Sequence, residues 1–487
     1  MKRIMLVSSL LMLSPAFAAA APAPVAPATP RSSSALARTG AAPAAPAIAT
    51  AASTGPRTRL LPNGLHVVIA PDSSAATVDV SLWFPAGSRD ERAGHTGLTQ
   101  VVNGLMFAGS RQFPPGEHQR LIERESGSTN VFSLADFASV SETVPAGSLE
   151  LSLRLEADRM AAANLDTPSL EAVRAAIERG RRDPATHSGV ALGMRKLYET
   201  AFAGHPYRWP AGGLESDLPH ITLEDTRAWW RDRYGPDGTW LVLSGRLDPD
   251  SAEALARRTL GTVPKRGLAR AVVPPPAAQT AARRSRGRLE GAGRVLLVGW
   301  RTPAARTADA VAMNVIDALL THRKPSRLER ALLPDTSRFL AVQAGFDQRR
   351  DAGLLFVAVL IAAGADSAAA ERAVIDAVES PFAAALPAED FESAVRQFQV
   401  ETLFSWQTPA GSGGAIGRSA MLTGNPSAAA SLESVRKLTP AALRQAATRN
   451  LTSAHRSVVW MLPGDTSGGA PPTSGSSGSP GTRKGGR

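Results

Sequence analysis

The chain has no cysteine. Disulfides, thiol catalysis, thiolate zinc sites and anchoring through a lipidated cysteine are therefore excluded. No apolar stretch beyond the N-terminal segment reaches the roughly 18 uninterrupted residues that a membrane-crossing helix requires. The eight histidines, His66, His95, His118, His187, His205, His220, His322 and His455, are scattered, with no two within ten residues of each other. A pair of histidines at i and i+4, which would set two metal ligands on one helical face, is thus missing. His95 is followed at i+4 by Thr99 and reads as a turn or surface residue. Neither a Gly-x-Ser-x-Gly elbow nor a phosphate loop of the Gly-x-x-x-x-Gly-Lys type occurs.

What is present suits a folded, exported protein. The 487 residues, 43% of them hydrophobic, exceed one ordinary core and suggest two domains. The net charge of +11 is concentrated in part in Arg283-Arg284-Ser285-Arg286-Gly287-Arg288 and in Arg483, Lys484 and Arg487. No nucleic-acid motif accompanies it, so a solvated surface is expected rather than a nucleic-acid partner. Lys2 and Arg3, the apolar run Ile4 to Leu13 and the small-x-small site Ala16-Phe17-Ala18 read as a signal peptide over residues 1–18. The mature chain is then periplasmic and has no transmembrane segment. Residues 19–56 are an Ala/Pro-rich tether without the apolar residues to build a core, and residues 464–487 are a Gly/Ser/Pro tail with a basic end.

Between them, residues 57–267 and 289–463 read as two units, joined by a Pro-, Ala- and Arg-rich linker at 268–288. In the first unit, Leu65–Ala70, Thr77–Phe84 and Thr239–Ser244 read as strands, and Val131–Val144 offers two more. Leu149–Ala162, Ser169–Arg181 and Leu223–Arg233 read as helices. The second unit repeats this plan. Thr222 to Tyr234 parallels Thr439 to Leu451 at an offset of 217 residues, which also lays Val78-Asp79-Val80-Ser81-Leu82-Trp83 over Val295-Leu296-Leu297-Val298-Gly299-Trp300. Trp83 should then superpose on Trp300.

The stretch Gly97-Leu98-Thr99-Gln100-Val101-Val102-Asn103-Gly104-Leu105-Met106-Phe107-Ala108-Gly109-Ser110 is central. Leu98, Val101, Val102 and Leu105 recur at helical spacing, leaving Gln100, Asn103 and Gly104 on another face. The stretch resembles, without a gap, the helix G-L-A-H-L-L-E-H-M-L-F-K-G-T of the pitrilysin/insulinase zinc-peptidase family. Leu61-Pro62-Asn63-Gly64-Leu65, Gly87-Ser88-Arg89-Asp90-Glu91, Gly127 to Ser133, Ala157-Asp158-Arg159-Met160, Gly204-His205-Pro206-Tyr207 and Tyr234-Gly235-Pro236 are similar to further landmarks of that family.

The resemblance implies an α+β fold of two homologous domains, each a mostly antiparallel sheet packed with helices. It also implies where chemistry would lie. The places of the two zinc-binding histidines and the water-activating glutamate hold Gln100, Gly104 and Asn103, and Glu178 looks like a leftover third ligand without partners. In the second unit the transition-state Arg and Tyr positions fall on Leu333 and Leu340, with Arg338 as a neighbouring substitute. No catalytic residue and no cofactor is therefore expected, and zinc enters only on the alternative of an active metallopeptidase with unusual ligands. Asn130, Val131, Phe132 and Ser133 occupy what the family uses as a sheet edge for pairing with extended peptides. The leading expectation is an exported, non-catalytic, peptide-binding partner of an active family relative, as a heterodimer or else a homodimer. A purely structural envelope protein is a further alternative.

Overall fold

A computed structural model describes residues 55–267, 272–291 and 293–464, apart from the side chains of Pro184 and Ala185. The expected signal peptide, nearly all of the tether and all but the first residue of the tail lie outside the described residues.

Eleven described strands form two sheets. The first contains β1 (Arg57–Leu60), β2 (His66–Pro71), β3 (Thr77–Phe84), β4 (Ser128–Ser133), β5 (Ala138–Pro145) and β6 (Trp240–Gly245), in the order β1-β2-β6-β3-β5-β4. The second contains β7 (Arg283–Leu289), β8 (Arg294–Thr302), β9 (Phe339–Asp347), β10 (Gly353–Ile361) and β11 (Arg456–Pro463), in the order β7-β11-β8-β10-β9. Only the β2–β6 and β7–β11 pairs are parallel. The helices of the first half are α1 (Leu98–Leu105), α2 (Glu117–Arg124), α3 (Leu149–Ala162), α4 (Thr167–Arg181), α5 (Gly189–Ala201), α6 (Leu223–Arg233) and α7 (Pro249–Arg258). Those of the second are α8 (Ala308–Thr321), α9 (Arg327–Leu332), α10 (Ser367–Glu379), α11 (Ala388–Ser405), α12 (Pro409–Thr423), α13 (Ala429–Arg436) and α14 (Pro440–Asn450). None is long and apolar enough to cross a membrane. This is the expected α+β architecture with a repeated sheet plan.

Local chemistry explains the boundaries. Thr222 caps α6 in a reciprocal box with Asp225, Asp166 caps α4 ahead of Pro168, and Gly424 closes α12 at φ 80°. The central strands β3 and β8 are buried on both faces because each sheet is covered twice.

That double covering is exchanged between the halves. Val78, Val80, Leu82 and Phe84 pack with Leu153 of α3 and Ala256 of α7, but the opposite face, with Val68, Trp83 and Val242, is closed by Ile416 and Met421 of α12. Reciprocally, Val295, Leu297 and Val459 of the second sheet are covered by Leu197 and Ala201 of α5. Both crossing helices use glycine at the contact. A Cβ on Gly417 would stand 2.0 Å from Trp83, and one on Gly193 would stand 2.3 Å from Leu297.

Two expectations are corrected here. Residues 283–288, read as the end of a linker at 268–288, form with Leu289 the strand β7 beside β11. Its inward face is Arg283, Ser285 and Gly287, which engage α5 and Met461 through hydrogen bonds and close contact, so the alternation carries no hydrophobic signature. Trp83 also does not superpose on Trp300. Leu241 and Val458, 217 apart, both face their own half's helices, yet their cross-strand partners Leu82 and Val298 are 216 apart. Phe84 therefore stands where Trp300 does, and the one-residue difference turns Trp83 to the opposite face, against α12.

Candidate functional site

Helix α1 begins at Gly97, whose φ of 96° suits glycine. The buried Glu91 carboxylate accepts from the N–H groups of Gly97 (2.7 Å) and Thr99 (2.8 Å), closing the helix start. Burial pushes Glu91 up to about 7 despite those two bonds. Leu98, Val101 and Leu105 then pack against Leu170, Val173 and Ile177 of α4, as the apolar spacing anticipates.

The three residues in question are each engaged in packing or hydrogen bonding. Asn103 is 5% exposed; its Oδ1 accepts from the Tyr234 hydroxyl at 2.7 Å and its Nδ2 donates to the Phe132 carbonyl of β4 at 3.2 Å. An amide held at both ends ties helix, core tyrosine and sheet edge together, and it has no useful basicity near neutral pH. Gln100 lies beside the Gly212 backbone, where a Cβ would come within 2.7 Å of its Oε1. At Gly104 a Cβ would meet Val173 Cγ1 at 2.7 Å. Val173 is β-branched and stiff, so no side chain fits without displacing α4.

Glu178 is exposed, while Val173 and Ile177 provide the face of α4 turned to α1. Glu178 thus stands at the expected leftover-ligand position with no histidine or second carboxylate at Gln100, Asn103 or Gly104 to complete a set. In the second half Leu333 is half-buried at the end of α9 and Leu340 is 56% exposed on β9. Arg338, the possible substitute, is paired with Asp335 at 2.7 Å. Asn130, Val131, Phe132 and Ser133 do lie on the terminal strand β4 of the first sheet, paired on one side with β5. A catalytic zinc needs a preset ligand cluster with one open position. The packing around Gly104 and the two-sided bonding of Asn103 do not fit one.

Sequence reasoning missed a buried polar cluster under the same sheet. His118 of α2, Glu142 of β5 and Glu156 of α3 converge, with ligand-type atoms within 4.8 Å of one another. Arg159 sits among them, its Nη2 3.3 Å from Glu156 and 3.5 Å from Glu142, and also bonded to His118. Burial lowers His118 to about 3, helped by the Arg159 charge, and raises Glu156 to about 7. The guanidinium already supplies the cation, so the cluster is an internal ion network rather than a metal cradle. The Ala157-Asp158-Arg159-Met160 landmark was its only sequence trace. Asp158 accepts from Ser110 Oγ at 2.5 Å, fastening the loop after α1.

The other landmarks are structural joints. His205 Nδ1 accepts from the Tyr207 N–H at 3.1 Å. The Tyr207 hydroxyl donates to Asp136 at 2.5 Å and accepts from the Asp351 N–H at 3.2 Å, linking the two halves. His95 lies 3.4 Å from Asp225 on a turn.

The family pattern described as Insulinase (Peptidase family M16) matches residues 66–211, and that described as Peptidase M16 inactive domain matches residues 220–398. The chain is 26% identical over 290 residues to the zinc protease PqqE of Helicobacter pylori, covering 58% of this chain and 64% of that protein. It is 30% identical over 285 residues to the coenzyme PQQ synthesis protein F of Pseudomonas aeruginosa, covering 56% of this chain and 36% of that protein. The chain thus spans less than two thirds of the length of these relatives. Among solved structures, a protease from Helicobacter pylori superposes with a TM-score of 0.78 at 18% identity, covering 84% of this chain and 99% of that one. A peptidase M16 inactive domain from Pseudomonas fluorescens superposes with a TM-score of 0.75 at 19% identity, covering 84% and 98%.

Proposed function

We propose, since the chain belongs to the insulinase-type M16 peptidase family, that it is a non-catalytic member that binds extended peptides and works beside an active relative. The single observation that carries this reading is the position of Val173 Cγ1, 2.7 Å from where a Cβ on Gly104 would stand, which leaves no volume for the second metal ligand. Asn103 supports it, because its amide serves as a clamp between Tyr234 and β4 where a base would be required. The β4 edge is retained, and pairing with an extended peptide uses backbone groups rather than a metal. In this role the chain holds peptides and shapes their access while the relative, carrying an intact H-x-x-E-H helix, performs hydrolysis. The Lys2-Arg3 start, the apolar run that follows it and the Ala16-Phe17-Ala18 site support a periplasmic setting for the pair.

The test begins with elemental analysis and a peptidase assay of the purified chain, which should give no stoichiometric zinc and no cleavage of unstructured peptides. Labelled extended peptides should raise their fluorescence anisotropy on binding, and pull-down from the envelope fraction should recover the active relative. One zinc per chain with chelator-sensitive cleavage would instead establish the active metallopeptidase. Absence of both peptide affinity and relative would leave a structural role.

A further inference from the structure

The two sheets share one plan with a single strand of difference. Val67 of β2 lies opposite Leu241, and Arg284 of β7 lies opposite Val458, the counterpart of Leu241. Strand β7 is thus the equivalent of β2, parallel to its neighbour in the same way. In the first sheet β2 is covered by β1, antiparallel, with Arg57 opposite Ile69 and Leu60 opposite His66. In the second sheet β7 is terminal, and no strand lies beyond it among the described residues. The corresponding vacant stretch is Arg283 to Arg286. A terminal strand offers a row of unpaired N–H and C=O groups to an incoming strand.

The side chains there have one chemistry. Arg284, Arg286 and Arg288 are exposed on one face at two-residue spacing, roughly 7 Å apart along the strand. Arg284 is held by Glu371 of α10 at 2.6 Å, whereas Arg286 and Arg288 have no ion-pair partner among the described residues. An antiparallel strand laid on this edge would set its own alternate side chains opposite those guanidiniums, which favour carboxylates in bidentate pairs.

The chain itself does not supply such a strand. Residues 1–54 contain no Asp or Glu, and residues 465–487 contain only Asp465. In a second copy, another β7 would bring arginines against arginines, and the other terminal strands β1, β4 and β9 carry one acid in all, Asp347. We propose that the outer edge of β7 is a docking strand for an extended segment of a different protein that carries acidic side chains at alternate positions. This surface is separate from β4 and does not depend on its peptide binding.

Exposed ion pairs add little affinity one by one, so the backbone ladder supplies binding and the arginines supply selection and register. The probe is a fluorescein-labelled Thr-Glu-Val-Glu-Val-Glu-Thr peptide, followed by anisotropy on the full chain. The peptide should bind, and Arg286→Glu with Arg288→Glu should weaken it at least tenfold without changing the melting temperature by more than a few degrees. The same variant should gain affinity for the Thr-Lys-Val-Lys-Val-Lys-Thr peptide, a charge swap that only a folded chain can show. N-methylation of the glutamates should abolish binding: Leu289 bonds to β11, so Arg284, Arg286 and Arg288 turn their backbone groups outward and the residues opposite them supply the ladder donors. Arginines that serve only to keep edges from self-pairing would give no affinity for the acidic peptide, and that result overturns the proposal. Equal binding of the N-methylated peptide, or preferential binding to phosphatidylglycerol vesicles, would overturn it as well, because either marks plain charge attraction.

Discussion

Val173 Cγ1 lies 2.7 Å from the point where a Cβ on Gly104 would stand, so α1 and α4 meet at a distance that only glycine permits. Gly104→His should therefore destabilise the fold by about 1–3 kcal/mol through overpacking. The variant with Gln100→His, Asn103→Glu and Gly104→His should still purify without stoichiometric zinc, and adding Val173→Ala should recover part of the lost stability. Thermal melting and elemental analysis check both; uptake of one zinc per chain by the triple variant would refute this account of the site.

Asn103 is a clamp, and its removal leaves the fully buried Tyr234 hydroxyl with only the longer bond to the Thr99 carbonyl, 3.3 Å. Asn103→Ala should cost about 1–3 kcal/mol. Combined with Tyr234→Phe in a double-mutant cycle, the coupling should exceed about 0.5 kcal/mol. Additive losses in urea titrations would show that the two side chains act independently.

Asp79 on β3 lies under α12, where a Cβ on Gly413 would stand 2.7 Å from its Oδ2. Burial pushes its carboxyl up to about 6, offset only in part by the hydroxyls of Ser81 and Thr143. The folded state thus keeps this proton to higher pH than the unfolded chain. Stability from this group is complete below the unfolded value near 4 and is lost as pH rises to about 6, a loss on the order of 2–3 kcal/mol. Asp79→Asn should flatten the decline in melting temperature between pH 4 and 6 and should melt higher than the parent at pH 7. A parallel pH profile for both proteins would contradict the assignment.

The exchanged helices make the halves interdependent. Residues 57–267 expressed alone should leave Val68, Trp83 and Val242 without α12 and should be aggregated or molten by circular dichroism. Co-expression with residues 272–464 should restore a soluble complex. In the intact chain, Gly417→Val should lower stability by more than Gly414→Val, since a Cβ on Gly414 meets nothing within 4 Å.

Much of the fold was legible because the sequence pattern is local. The span Thr77–Phe84 alternates into a strand, Leu149–Ala162 carries a helix, and the Thr222–Asp225 cap marks the start of α6 from chemistry a few residues long. Strand β7 was hidden because Arg283, Ser285 and Gly287 make up its inward face, with Leu289 at its end as the one apolar side chain there. The 217-residue repeat was visible, but the one-residue slip that separates Trp83 from Trp300 is set by pairing with β6 and β11, partners remote in sequence.

At the site, the sequence by itself determined which side chains stand in place of the ligands, since residue identity alone decides that Gln100, Asn103 and Gly104 provide no histidine and no carboxylate. Tertiary structure decided what replaced them. Val173 fills the space at Gly104, Tyr234 and Phe132 take up the Asn103 amide, and Glu178 is exposed. Those outcomes depend on how α4, β4 and the 210–213 loop are brought against α1, contacts between segments tens of residues apart that no local periodicity encodes.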